Sequence, residues 1–292
     1  MNKHWLKALT LILPTLTGCL YHTRKVQVPK PAGVVQSARG EELVKQVNEA
    51  YAAIRTLTAT VEFQAQVGGA KKGAVTDYTS FRGYILMEKP GNLRVLGLVP
   101  VLHTHAFDLA SNGTTFKLLI PPKSKAIEGK AQVTKPSKNA LENLRPGLFF
   151  DSMLIHSISP DDQIFVTGES RVFMDKERKQ LVEEPVYDLA IVRRRSEGNE
   201  LMLDRVIRFG RTNLLPFEQD IYDSDGNITT QVLYGPYQTF GNTRFPGTVT
   251  IKRPLDEYQI ILTIEKLTLN QNLTEDQFEL KIPEGIAIQQ LN

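Results

Sequence analysis

The chain has 292 residues, 41% of them hydrophobic and 23% charged. Those proportions are close to globular averages and exclude collagen-like, disordered and polytopic membrane proteins. The formal charge is +3, but residues 1–18 hold Lys3 and Lys7 and no acid, so losing them takes away two charges and leaves about +1, no electrostatic footprint for nucleic acid.

The N-terminus reads as an export signal. Lys3 and Lys7 form a positive start, and Ala8–Leu16 is a short apolar run. A bilayer span needs about 20 apolar residues, so this run fits a removable signal peptide instead. Leu16-Thr17-Gly18-Cys19 has the form of a lipobox, with small residues before a cysteine. Cys19 is the only cysteine. It is expected to carry the lipid, and the folded part must hold together without disulfides. No thiolate zinc site of the usual kind is available either. Residues 1–18 are therefore expected to be a signal peptide. Residues 19–38, with Pro29, Pro31 and Gly33, are read as a lipidated N-terminus and flexible tether. Residues 39–292 are expected to form the folded domain.

That domain opens with a helix. Leu43, Val47, Ala50, Tyr51 and Ile54 recur at helical spacing, and Glu41 and Glu42 at the start suit the helix dipole. The period then changes to two. Leu57–Val67 alternates apolar and polar, and similar runs follow at 78–88, 92–98, 103–109, 115–120 and 125–128. Turn residues separate them, such as Lys89-Pro90-Gly91-Asn92 and Ser111-Asn112-Gly113, as in an antiparallel meander. Leu148–Ile155 is apolar without alternation and follows Pro146-Gly147, which predicts a short inserted helix. Strand patterns resume at 164–172, 186–193, 201–209, 216–222, 228–234, 248–252 and 259–267. The fold expected is mainly β with a few helices. It is a curved antiparallel sheet forming a half-barrel, capped by the N-terminal helix and the short inserted helix.

Several segments resemble LolA/LolB-type proteins, the carrier and receptor of bacterial lipoproteins. They are the helix with Leu57–Val67, the strand and loop Lys89–Leu102, the hairpin Phe107–Phe116, and the end Leu273–Gly285. The stretch from about Arg171 to Leu215 is longer and more charged than a minimal receptor of that kind has. The resemblance implies an apolar cavity under helices that takes acyl chains or lipoproteins. It also implies a lipid-anchored protein of the outer membrane facing the periplasm, since Leu20 stands where an aspartate retains such proteins at the inner membrane. The alternative is a structural or interaction lipoprotein with a filled core.

Two clusters are candidates for ligand or membrane contact. Leu98, Val99, Val101 and Leu102 fall between two strands, where turns are usually polar. An exposed apolar tip there would touch a membrane or a ligand, and the same run also fits a buried strand pair. Phe149, Phe150, Met153 and Leu154 fit either a lid over the cavity or ordinary helix-on-sheet core. Other features read more simply. His103 and His105 would share one strand face without a third metal ligand. Arg193-Arg194-Arg195 fits a solvated edge, and Asp223–Asn227 a hairpin turn. No G-x-S-x-G, H-E-x-x-H or P-loop occurs, so neither catalysis nor a cofactor is expected.

Overall fold

The computed structural model describes residues 23–100, 104–131, 145–175, 178–194 and 199–291. The expected signal peptide, Cys19, Val101, Leu102, His103 and Arg195 lie outside the described residues.

The elements in chain order begin with β1 (Lys30–Pro31), α1 (Gly40–Ala52), β2 (Thr56–Gly69), β3 (Ala74–Asp77), β4 (Phe81–Glu88), β5 (Asn92–Leu98), β6 (His105–Asn112), β7 (Thr115–Ile120) and β8 (Lys125–Lys130). Next come α2 (Pro146–Met153), β9 (Gln163–Asp175), β10 (Gln180–Arg194), β11 (Leu201–Gly210), β12 (Pro216–Tyr222) and β13 (Ile228–Tyr234). The chain ends with β14 (Tyr237–Phe240), β15 (Thr243–Pro246), β16 (Thr248–Arg253), β17 (Tyr258–Leu269) and β18 (Ala287–Leu291).

The chain divides into a smaller unit, residues 1–33 and 171–184, and a larger one, residues 34–170 and 185–292. In the smaller unit β1 runs parallel to the start of β10, with Lys30 opposite Val182 and Pro31 opposite Glu183. Arg171 donates twice to Glu184 Oε2, at 3.0 and 2.6 Å, and its guanidinium lies 4.8 Å from the Phe173 ring.

The larger unit is built on one sheet in the order β10-β11-β12-β13-β16-β17-β2-β4-β5-β6-β7-β8-β18. All its neighbours along this path are antiparallel except β8 and β18, which run parallel. The sheet is curved and does not close into a barrel, leaving an open half-barrel. Its centre is the pairing of two long strands, β2 and β17, from Leu57 opposite Leu269 to Val67 opposite Tyr258. The alternation of β2 decides which face is covered. Leu57, Ala59, Val61 and Phe63 are buried, while Glu62 and Gln64 are exposed. One face of an antiparallel sheet packed and the other wet is the outcome such alternation predicts.

Two apolar clusters form on the larger unit. The first gathers Leu57, Ile85, Leu93, Leu109, Phe116, Val232, Val249 and Leu262 with Leu148, Phe149 and Phe150 of α2. The second joins Leu43 and Val47 of α1 to Leu189, Ile191, Ile207 and Phe209 of β10 and β11. Leu43 and Val47 are four residues apart, so one stripe of the helix makes this contact. Glu41 and Glu42 stand in its first turn, and Glu42 accepts from Arg39 N–H at 2.7 Å. α2 begins with Pro146 at a first-turn position, where a missing N–H does no harm.

Part of the stretch read as a tether is held. Gln36 N–H donates to Arg211 O at 2.7 Å, the Gln36 side chain to Thr212 O at 3.0 Å, and Arg211 to Ser37 Oγ at 3.2 Å. At the other end, Arg94 of β5 forks onto the buried Asp108 of β6 at 3.2 and 2.9 Å, and donates to Gln277 O at 3.1 Å.

Candidate functional site

Between the two apolar clusters the larger unit has a cavity of about 420 Å³. α1 supplies Gln46, Val47, Ala50 and Tyr51, and the residues just past its end supply Ala53 and Ile54. Two of these are alanines, whose small side chains leave space where a leucine would fill it. The end of α2 supplies Met153 and Leu154, followed by Ile155. The sheet supplies Phe209, Pro216, Tyr234 and Leu269, and the β14–β15 hairpin supplies Tyr237, Thr243, Arg244, Phe245 and Pro246. This hairpin is a two-stranded sheet of its own, with Tyr237 opposite Pro246 and Phe240 opposite Thr243. It turns through Gly241 at φ +59°, a conformation that favours glycine.

Polar bonds fix the frame around the cavity. Gln46 Nε2 donates to Leu214 O at 2.7 Å, tying α1 to the β11–β12 turn. Asn270 Nδ2 donates to Ala53 O at 2.8 Å, and Arg55 N–H donates to Asn270 Oδ1 at 2.7 Å, tying the end of α1 to the end of β17. Tyr237 OH donates to Pro216 O at 3.0 Å. Tyr51 is held from both sides. The ammonium of Lys89 lies 3.9 Å from its ring centroid, and the His156 ring stacks on it at 5.4 Å. Burial lowers the pKa of Lys89 from its ordinary value.

Tyr234 lines the cavity, is 7% exposed, and its hydroxyl has no hydrogen-bond partner among the described residues. Burial, then the neighbouring Tyr237, push its phenol well above the ordinary tyrosine range, so it stays neutral and able to donate. Arg244 is the one charged residue among the described residues lining the cavity, and it is exposed.

A smaller, polar recess of about 260 Å³ is lined by Asp151, His156, Arg193, Asp204, Arg205 and Gln219. Its charges already answer one another. Arg193 pairs with Asp162 and Asp204 at 3.0 and 2.9 Å and Arg205 with Asp204 at 3.0 Å, while His156 Nε2 lies 3.0 Å from Asp151 Oδ1. A site whose charges are internally paired has less to offer a ligand than the cavity beside α1.

The contact residues expected from the sequence divide among these places. Met153 and Leu154 line the cavity. Phe149 and Phe150 lie in the first apolar cluster and do not line it. Leu98 and Val99 are half-buried and Pro100 is exposed, with Val99 N–H donating to Thr104 O at 2.7 Å across the connection. His105 is exposed, and among the described residues no group of three His, Cys, Asp or Glu side chains could hold a metal. Arg193 and Arg194 are engaged, the latter with Asn199 at 2.7 Å. The cavity walls at Phe209, Tyr234, Tyr237, Arg244 and Phe245 were not anticipated as a site. The one local signal for the hairpin wall was Gly241-Asn242 between Phe240 and Thr243, a two-residue turn.

Fold and cavity define the class: an open, mostly antiparallel half-barrel with helices roofing an apolar space. Solved structures with a similar course of chain include a LolA superfamily protein from Nitrosomonas europaea, at 12% identity over 84% of this chain and 99% of that one, with a TM-score of 0.49. A DUF1329 family protein from Desulfovibrio piger is similar at 13% identity, 82% and 95% coverage and a TM-score of 0.48. An outer membrane lipoprotein-sorting protein domain from Vibrio parahaemolyticus is similar at 13% identity, 82% and 94% coverage and a TM-score of 0.42. No protein-family model and no curated protein sequence matches the chain.

Proposed function

We propose that the protein is a lipid-anchored component of the bacterial envelope that binds acyl chains, free or on lipoproteins, in the cavity between α1, α2 and the β14–β15 hairpin. The observation that carries this reading is an apolar space with pinned walls and almost no charge. Each methylene moved from water into such a space contributes about 0.8 kcal/mol, so a chain is held by burial alone and no catalytic group is needed. The volume lies toward the lower end of the ~300–1,000 Å³ typical of small-molecule pockets. Lipid on Cys19 supplies the membrane attachment, and the absence of aspartate after Cys19 directs the protein to the outer membrane, facing the periplasm.

Native mass spectrometry of protein purified without detergent tests the binding. Copurified lipid is the expected result. A clean apo mass across preparations, with no uptake of added fatty acid, points to the interaction-protein alternative, for which the filled remainder of the concave face speaks. Cys19→Ser tests the anchor. One acyl chain binds a membrane only marginally and two or more anchor it, so the variant is expected in the soluble fraction or as uncleaved precursor. Recovery of the mature wild type solely in the inner membrane removes the outer-membrane assignment.

A further inference from the structure

The cavity carries one charge, and its sign and setting say more about the ligand than its apolar walls do. Arg244 sits on β15 between Thr243 and Phe245, which line the cavity with it. Among the described residues no carboxylate pairs with Arg244, whereas Arg94, Arg171, Arg193, Arg205, Arg208 and Arg253 all do have such partners. The polar lining residues Gln46, Tyr237 and Asn270 spend their hydrogen bonds on the frame. Among the described residues four polar side chains are left for a ligand: the exposed guanidinium of Arg244, the buried hydroxyl of Tyr234, and the hydroxyls of Tyr51 and Thr243. All can donate hydrogen bonds, Arg244 alone carries a charge, and no acidic side chain among the described residues lines the space to repel an anion.

We propose that the cavity takes a single-chain amphiphile ending in a carboxylate, a fatty acid, with its headgroup on Arg244 and its chain running inward past Tyr51, Met153 and Phe245. This rests on the acyl-binding reading above and sharpens it. The planar guanidinium fork matches the two oxygens of a carboxylate. One cation answers one negative charge, where a phosphate monoester brings nearly two. The cavity size suits one chain better than the several chains of a diacyl or triacyl lipid.

The test uses the full-length chain carrying Cys19→Ser, so that no attached lipid competes, and displacement of a fluorescent fatty-acid analogue. Palmitate, neutral monopalmitoylglycerol and palmitoyl lysophosphatidate are compared on wild type and Arg244→Gln. Palmitate is expected to bind roughly tenfold tighter than the neutral monoglyceride, and Arg244→Gln to weaken palmitate binding enough to remove that preference. Arg244 is exposed, so the variant is expected to melt with the wild type, and circular dichroism checks that. Equal binding of palmitate and monoglyceride, or a preference that survives Arg244→Gln, overturns the headgroup assignment and leaves the acyl reading standing. Tighter binding of the lysophosphatidate overturns the carboxylate in favour of a phosphate. Failure of every amphiphile to bind overturns the acyl reading itself, and this inference with it.

Discussion

The two helices cover the concave face of the larger unit in opposite ways. Where α2 meets it, Leu148, Phe149 and Phe150 fill the space, and Phe149 is wholly buried in the first apolar cluster. Where the end of α1 and the residue after it meet it, Ala50 and Ala53 stand back and about 420 Å³ stays open against Phe209, Tyr234 and the β14–β15 hairpin. Both regions are apolar, so composition alone does not separate a core from a binding site. What separates them is the size of the covering side chains and the presence of a small hairpin that walls a space without entering it. A close-packed interior normally tolerates few voids, so a persistent apolar space is a feature needing a use.

The filled region should respond to truncation with the largest loss of stability. Phe149→Ala removes a fully buried ring from the first cluster. Loss of about 3–5 kcal/mol is expected, a fall in melting temperature on the order of 10 °C. Acyl binding measured well below the new transition should change little, because Phe149 does not line the cavity. A variant that keeps its melting point but loses ligand would reverse the assignment of the two regions.

The hairpin offers a smaller effect with both readouts. Gly241 holds φ +59° with open space where a Cβ would stand, so strain there is a matter of backbone alone. Gly241→Val should cost about 1–2 kcal/mol through the left-handed conformation and loosen the wall formed by Tyr237, Arg244 and Phe245. Calorimetry and ligand titration together check this. A stability loss without any loss of affinity would show that the hairpin is no wall.

How far these two regions could be read from the sequence differs for a physical reason. α1, β2 and most of the sheet were legible because their signal is local: Leu43 and Val47 at helical spacing, then Leu57, Ala59, Val61 and Phe63 at period two. The inserted helix was legible from Pro146 and its mostly apolar run without strand alternation. β14 and β15 were not, because each has four residues, Pro236 precedes the pair and Pro246 ends it, and prolines weaken a strand reading. β1 and β18 are edge pieces in parallel pairings made with residues far away in the chain. A cavity under helices was expected by resemblance, but most of its lining had no local signal. Val47, Met153, Phe209 and Tyr234 meet only through the fold, and nothing in the order of residues says that Phe149 fills space while Met153, four residues on, borders it.

Filling the open region should leave stability nearly untouched and remove function. Ala50 is exposed at the cavity rim, and Ala50→Trp places an indole in its mouth. The melting curve should shift by about half a kcal/mol or less, as surface changes usually do. Affinity for palmitate should fall more than tenfold. Unchanged affinity would mean that chains, if bound, lie elsewhere on the molecule.

The smallest expected effect on stability concerns the connection between β5 and β6. Leu98 and Val99 are half-buried, Pro100 is exposed, and Val99 N–H donates to Thr104 O at 2.7 Å, joining the described ends of the connection. Val101 and Leu102 lie outside the described residues, and the sequence reading makes them an apolar contact with membrane or ligand. On that reading Val101→Glu or Leu102→Glu leaves the melting temperature within the equivalent of about 0.5 kcal/mol. Palmitate affinity also stays as it was, because the described part of the connection does not line the cavity. Transfer of fatty acid from vesicles should slow, since a carboxylate opposes entry into an acyl layer. A large fall in melting temperature would instead place the pair in the core, where an unpaired charge costs several kcal/mol. Normal melting with normal transfer would end the contact reading as firmly. Slow transfer with intact melting and intact equilibrium affinity is the expected combination, and it would assign loading to the β5–β6 connection and holding to the cavity beside α1.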